Sequence, residues 1–179
     1  MSLPTAHLRP LIQGAAFAAN LPWWRAYAPA EWLEAIVLQE SGGNPKARRY
    51  EPAPDRAGRT DAASDADVPD RDDGLLEDDE SFGLMQVMGT NIRRIVGAPP
   101  GTPLNFGFAL RPLMAMALGC RILADELDAA GDKVDLALAR YNGGSVGNPR
   151  SDGSLRNQSY VDGVAAFAAK VHSDRKGTI

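Results

Sequence analysis

Cysteine is almost absent from this chain: Cys120 is the only one in 179 residues, so no internal disulfide can brace the fold. Histidine is nearly as scarce. His7 and His172 stand at opposite ends and outside every motif below, so neither suggests a metal ligand, and no metal or cofactor is implied. No apolar run is long enough to cross a membrane, so no membrane insertion is expected. Basic excess is also missing. Lys and Arg number 19 against 23 Asp and Glu, for a formal net charge of −4, and no basic stripe is interleaved with aromatics. That balance argues against a nucleic-acid binder, and bulk charge would not draw the chain to an anionic polymer. Recognition must come from a shaped groove.

What remains is ordinary for a globular protein: 44% hydrophobic and 23% charged residues, enough for one core and short for two. A single domain over residues 1–179 and a monomer are expected. Helical periodicity dominates. Leu8, Leu11, Ile12, Ala15, Ala16 and Ala19 trace one face of a first helix. The same stretch, Leu11 to Ala19, has the outline of a signal-peptide core with an Ala-x-Ala end. Gln13, the preceding Pro10 and the small positive charge before it weigh against that alternative. Trp23 and Trp24 follow in a turn, where both are expected to pack on the core.

Pro29-Ala30-Glu31 suits the start of a second helix. From Arg49 to Glu80 the chain turns polar, with Pro52, Pro54, Pro69, Gly58, Gly74 and many aspartates, and reads as an acidic insertion or loop. Thr90 resembles an N-cap for a helix carrying Ile92, Ile95 and Val96. Pro99-Pro100-Gly101 breaks the chain. Leu110, Leu113, Met114, Ala117, Leu118 and Ile122 mark a long helix ending near Gly131, with Cys120 as a small core residue inside it. Val134, Ala137, Leu138 and Tyr141 mark another, stopped by Gly143-Gly144. Tyr160, Val164, Phe167 and Val171 mark the last. Strand signal is confined to a short hairpin around Gly83 to Val87.

The most informative stretch closes the second helix. Leu33, Ile36, Val37 and Glu40 fall at i, i+3, i+4 and i+7, so a carboxylate ends an apolar helical face, and Gly42-Gly43 then stop the helix. Burial and the negative end of the helix dipole both disfavour the ionised form of such a group. A carboxyl that keeps its proton near neutral pH can act as a general acid. Taken alone, the pattern fits a helix-end glutamate turned out to water better.

Four segments in order decide between these readings: Glu40-Ser41-Gly42-Gly43-Asn44-Pro45, Gly83-Leu84-Met85-Gln86, Ala139-Arg140-Tyr141-Asn142-Gly143-Gly144 and Asn157-Gln158-Ser159-Tyr160-Val161. Together they resemble the signature of the soluble lytic transglycosylases, the goose-lysozyme-like enzymes that cut peptidoglycan, over roughly residues 30 to 170. The resemblance implies a mainly α, lysozyme-like single domain, with 49–80 as an insertion and at most a short β-hairpin. Its groove would lie between the Glu40 helix and the Tyr141 segment. The Arg49-Tyr50-Glu51-Pro52 continuation and Ser81-Phe82 before Gly83 lean toward a bacteriophage-type member. The implied partner is the peptidoglycan glycan strand, in the periplasm or cell wall. With no clear signal peptide, a phage holin, a virion or another secretion route would deliver the protein there.

By the same resemblance Glu40 is the sole catalytic acid and base. It protonates the oxygen joining N-acetylmuramic acid to N-acetylglucosamine, then takes a proton from the muramoyl 6-hydroxyl, which closes onto C1 as a 1,6-anhydro sugar. The binding candidates are Ser81, Gly83, Met85, Gln86, Tyr141, Asn142 and Tyr160. A phenol at Tyr141 can hydrogen-bond the carboxyl and hold its rotamer. Gln86 offers a donor and an acceptor to substrate acetamido groups. Met85 suits a sugar face or the core, Asn142 a sugar or a helix end, Tyr160 a cleft wall or simple packing. The family's serine about nine residues past the acid is Arg49 here, and Glu80-Ser81 replaces its Gly-Ala pair. Ser81 is the candidate to supply that hydroxyl.

Two other functions fit parts of this pattern. A goose-type lysozyme would need a second carboxylate, roughly 6.5–9.5 Å from the acid in an inverting enzyme. Asp67, Asp70, Asp72, Asp73 and Glu80 are its candidates, though acids in a polar loop more often form a solvated segment. A non-catalytic glycan-binding part of a virion or secretion machine is the other, and the joint presence of Glu40, Gln86 and Tyr141 speaks against it.

Overall fold

The computed structural model describes residues 3–50, 80–99, 102–143, 151–155 and 157–177. The body of the expected insertion, 51–79, lies outside them, as do Pro100, Gly101 and Gly144. Six α-helices and three short strands are present among the described residues: α1 Arg9–Ala18, α2 Pro29–Ser41, β1 Arg48–Tyr50, β2 Glu80–Phe82, β3 Val87–Met88, α3 Gly89–Val96, α4 Pro112–Ala129, α5 Val134–Gly143 and α6 Gln158–Lys176. The chain forms two compact units, Met1–Gly43 with Gly119–Ile179, and Asn44–Leu118.

In the first unit α2 is the central element, and α1 and α6 pack against it. Every residue from Glu31 to Leu38 is buried, so α2 is enclosed on all sides rather than amphipathic. Its start uses Pro29 at the first turn, and the Glu31 carboxylate accepts the Ala28 N–H at 2.8 Å. Gly42 ends it at φ 62°, donating its N–H to Leu38 O at 3.1 Å, as the glycine pair predicts. On α1 the expected face is the inner one: Leu8, Ile12 and Ala16 are buried, whereas Gln13, Phe17 and Ala18 are exposed. On α6, Tyr160, Val161, Val164, Ala168 and Val171 are buried.

Full enclosure forces α2 to find partners for its charges. The Glu34 side chain has no exposed surface; Thr5 Oγ1 donates to Oε1 at 2.7 Å, Arg9 Nε lies 3.2 Å from Oε1, and Arg175 Nη2 is 2.7 Å from Oε2. Asp174 in turn receives Arg9 Nη2 at 2.5 Å. Burial works against the charge on Arg9, but Asp174 and Glu34 more than offset it and its pKa rises. Glu31 meets His172 Nδ1 at 2.8 Å, and His172 makes an edge contact with Tyr27, ring centroids 6.0 Å apart. Trp32 donates to Pro22 O at 3.0 Å and stands edge-on to Trp24.

The second unit holds an antiparallel sheet in the order β1-β2-β3, with Arg49 opposite Ser81 and Phe82 opposite Val87. The β2–β3 hairpin is where the sequence suggested it. The third strand, β1, was not signalled: Arg49, Tyr50 and Glu80, assigned to the polar stretch, form the paired strand ends on either side of it. Phe82 stacks on Phe106 at 5.2 Å, and Arg93 donates to Pro99 O and Thr102 O. Gly83 turns the chain at φ 73°; a Cβ there would sit 2.5 Å from Ala109 O, so only glycine fits.

Three sequence expectations need correction. Trp24 is buried, but Trp23 is 70% exposed, because only Trp24 has a ring partner and an acceptor for its N–H. Thr90 is not an N-cap: α3 begins at Gly89 behind Met88, which places Thr90 within the first turn. On α4 only part of the expected face is inward. Leu118 and Ile122 are buried, as is Cys120, but Leu113, Met114 and Ala117 are exposed while Ala115, Met116, Leu123 and Leu127 are buried. Leu110 belongs to the preceding 3₁₀ turn. An alanine-rich helix carries too little contrast for its apolar side to be picked from residue type.

The Glu34 network generates a prediction. Glu34→Ala strands two arginines in a buried setting and should cost about 3 kcal/mol of stability, read from urea unfolding. A loss below about 1 kcal/mol would mean that these charges behave like a surface pair.

Candidate active site

Glu40 occupies the penultimate position of α2 and is half-buried, at the point where the enclosed helix reaches the surface. The last turn of α2 packs against the first turn of α6, and there the Tyr160 phenol donates to Glu40 Oε1 at 2.5 Å. A hydroxyl bond this short to a carboxylate is charge-assisted and fixes the carboxyl's orientation. Tyr141 lies near enough to feel the Glu40 charge. Burial raises the pKa of both phenols well above the ordinary tyrosine value, and the Glu40 charge adds to it; at Tyr160 the hydrogen bond to Glu40 contributes as well. Both therefore stay protonated across the working pH range, which keeps Tyr160 a donor to the carboxylate. Cys120, whose thiol is pushed up to about 12 by burial, is a core residue and not a nucleophile.

Two features that sequence reasoning passed over hold this arrangement. Gly163 is one turn beyond Tyr160, and a Cβ on it would come 2.7 Å from Gln39 Oε1. Its missing side chain leaves room for the tip of the Gln39 side chain, next to Glu40 in α2. A glycine inside a helical pattern is the available signal for such close approach. Asn157 Nδ2 donates to Ala139 O at 3.1 Å, tying the start of α6 to α5 two residues before Tyr141.

The candidates divide between the two units. Glu40, Tyr141, Asn142 and Tyr160 all belong to the first, and Asn142 is exposed on the last turn of α5. Tyr160, given from sequence as a wall or a packing residue, turns out to be a hydrogen-bond partner of the carboxyl. Ser81, Gly83, Met85 and Gln86 belong to the second unit, where all four are buried. Met85 has no exposed surface, so it is a core side chain in this structure. Gln86 is neither a surface amide nor an open one. It sits at φ 46°; its Nε2 donates to Gly83 O at 2.9 Å and Ala47 O at 3.2 Å, and its Oε1 accepts from Ser81 Oγ at 2.9 Å. The Gly83-Leu84-Met85-Gln86 segment is thus a turn braced by its own glutamine, and the Ser81 hydroxyl contacts both that glutamine and Arg49 O, the latter at 3.3 Å.

Among the described residues no group of three or more His, Cys, Asp or Glu is placed to hold a metal, and no helix is long and apolar enough to cross a membrane. Of the proposed second carboxylates, Asp67, Asp70, Asp72 and Asp73 lie outside the described residues. Glu80 is paired with Arg48, Nη2 to Oε2 at 2.5 Å.

The family model described as Transglycosylase SLT domain matches residues 20–159, about four-fifths of the chain. No curated protein matches. Among solved structures, an inactive mutant of the lytic transglycosylase Slt from Pseudomonas aeruginosa is similar with a TM-score of 0.59 and 20% identity, over 97% of this chain and 25% of that one. The chain therefore spans about a quarter of that protein, and at this identity the likeness is one of fold.

Two substitutions separate structure from chemistry here. Gln86→Ala removes three buried hydrogen bonds and should destabilise by about 2–3 kcal/mol in thermal or urea unfolding; unchanged stability would return Gln86 to a pure ligand role. Tyr160→Phe should flatten the pH dependence of stability. Because the folded phenol has the raised pKa, the unfolded chain loses its proton first above the ordinary tyrosine value of 10.0, so stability falls as pH rises past it. Melting points of the wild type should drop between pH 9 and 11 (about one unit either side of the free phenol value) more steeply than those of the variant.

Proposed function

Since the chain belongs to the Transglycosylase SLT domain family, we propose that it is a peptidoglycan lytic transglycosylase that cuts the β-1,4 bond from N-acetylmuramic acid to N-acetylglucosamine without consuming water. The Glu40–Tyr160 pair carries this reading. Glu40 donates its proton to the glycosidic oxygen as the bond to C1 breaks and an oxocarbenium-like centre forms. The carboxylate left behind is stabilised by the phenol already aimed at it, an interaction stronger with the anion than with the acid. It then removes the proton of the muramoyl 6-hydroxyl, whose oxygen closes onto C1. Glu40 ends protonated, the products are a 1,6-anhydromuramoyl end and a free N-acetylglucosamine end, and no atom has come from solvent.

One carboxylate serves both steps, so no second acid is required. The ion pair of Glu80 with Arg48 favours this over a water-activating partner. Glycan strands are the partner in this reading, with Tyr141 and Asn142 as their contacts and the chain acting as a monomer at the bacterial cell wall. A phage holin, a virion or another secretion route would bring it there.

Mass spectrometry of fragments released from purified peptidoglycan tests the chemistry. Muropeptides one water lighter than hydrolytic ones, without reducing muramoyl ends, are expected. Reducing ends would make the enzyme a lysozyme and overturn the proposal. Glu40→Gln should reduce lysis at least a hundredfold (the scale of a lost acid–base group) while glycan binding persists; undiminished lysis would remove Glu40 from the mechanism.

A further inference from the structure

The turn between α1 and α2, together with the starts of α5 and α6, borders an open cleft of about 810 Å³ within the first unit. That is the size of a small-ligand cleft, typically about 300–1,000 Å³. Its walls include Trp23, Arg25, Asp132, Lys133, Asp135 and Gln158; Glu40, Tyr141 and Tyr160 are not among them. Val134 and Tyr141 sit seven residues apart on α5, so the cavity opens about 10 Å along the helix axis from the Tyr141 end.

Trp23 is 70% exposed, and nothing in the packing of the unit needs its indole there. A large exposed aromatic on the wall of a polar-rimmed cleft is the kind of apolar surface that marks recognition rather than folding. Backbone strain gathers at the same place. Of four non-glycine residues with positive φ among the described residues, Arg25 at 53° and Asp132 at 59° both line this cavity. These conformations hold two charged side chains at its rim.

The charges identify the class of ligand. The Arg25 guanidinium lies over the Trp24 ring at 4.7 Å and pairs with Asp135 at 3.3 Å, and Trp24 Nε1 donates to Asp135 at 2.7 Å. Lys133 is balanced in charge by its neighbour Asp132, so the lining carries two cations and two anions. A phosphate or a nucleic acid would meet no net positive field here. A neutral ring with an apolar face and a hydroxyl-rich edge meets what it needs: an indole to stack on, and Asp132, Lys133 and Gln158 as acceptors and donors around it.

We propose that this cavity is a second saccharide site, taking uncharged amino-sugar rings of a glycan strand on the Trp23 indole and so holding the protein to its polymer away from the bond being cut. This rests on the peptidoglycan reading above. The test uses the full chain carrying Glu40→Gln, pelleted in the cold with purified peptidoglycan sacculi. Adding Trp23→Ala should weaken binding about tenfold, the scale of one lost aromatic contact. Adding Phe17→Ala instead, at a residue 89% exposed and outside the cavity, should leave binding within twofold (about 0.4 kcal/mol). Matched melting points keep the comparison on binding. Equal binding with and without Trp23, or an equal loss from Phe17→Ala, overturns the proposal, the second by reducing it to general apolar adhesion. The sugar ends of the lysis products report on the Glu40 chemistry alone, so failure of that reading is told apart from failure of this one.

Discussion

The fold depends on enclosing α2 completely. A helix buried along its length cannot leave a charge unmatched, because a lone carboxylate in a low-dielectric interior costs several kcal/mol or more. Glu34 accordingly recruits Thr5 and Arg9 from the N-terminal segment and Arg175 from the last helix, while Glu31 meets His172. These contacts join the two ends of the chain on one helix. They also set the line of α6 across α2, and at the other end of that line Tyr160 meets Glu40.

The placement of Glu40 at one end of α2 follows from the packing at the other. A carboxyl at the point where a buried helix surfaces is half-shielded, rigidly backed and reachable. The Glu40–Tyr160 bond holds it in one orientation. Rigidity of this kind favours catalysis because the group is aligned before substrate arrives and no reorganisation is needed as charge develops. The sheet unit solves a different problem. Its Gly83–Gln86 turn satisfies its own backbone through one glutamine side chain, so residues that read as ligand contacts are also the fastening of the hairpin.

Much of the helical architecture was legible because single residues carry strong local signals. Pro29 and Glu31 open α2, Gly42 closes it, and Leu8, Ile12 and Ala16 mark the inner face of α1 at helical spacing. Legibility failed where local signals were weak or balanced. Along α4, alanine, methionine and leucine occur on all sides, and Leu113, Met114 and Ala117 were grouped with Leu118 and Ile122 although only the last two are buried. Trp23 and Trp24 are chemically identical neighbours, yet Asp135 takes the N–H of only one. Strand β1 pairs with a partner more than thirty positions away in sequence, at register Arg49 to Ser81, and no nearby residue announces it.

The sequence by itself determined the helical class, the helix that ends in Glu40 and the four ordered motifs that assign the family. Those properties are written in spacing and residue type, which act within a turn or two of the chain. Only the tertiary structure decided which phenol holds the carboxyl, that Gln86 and Ser81 brace one another, and that Glu34 is surrounded by arginines. The reason is physical: each is a contact between side chains brought together by burial, and burial partners are set by the packing of whole elements rather than by their neighbours in sequence.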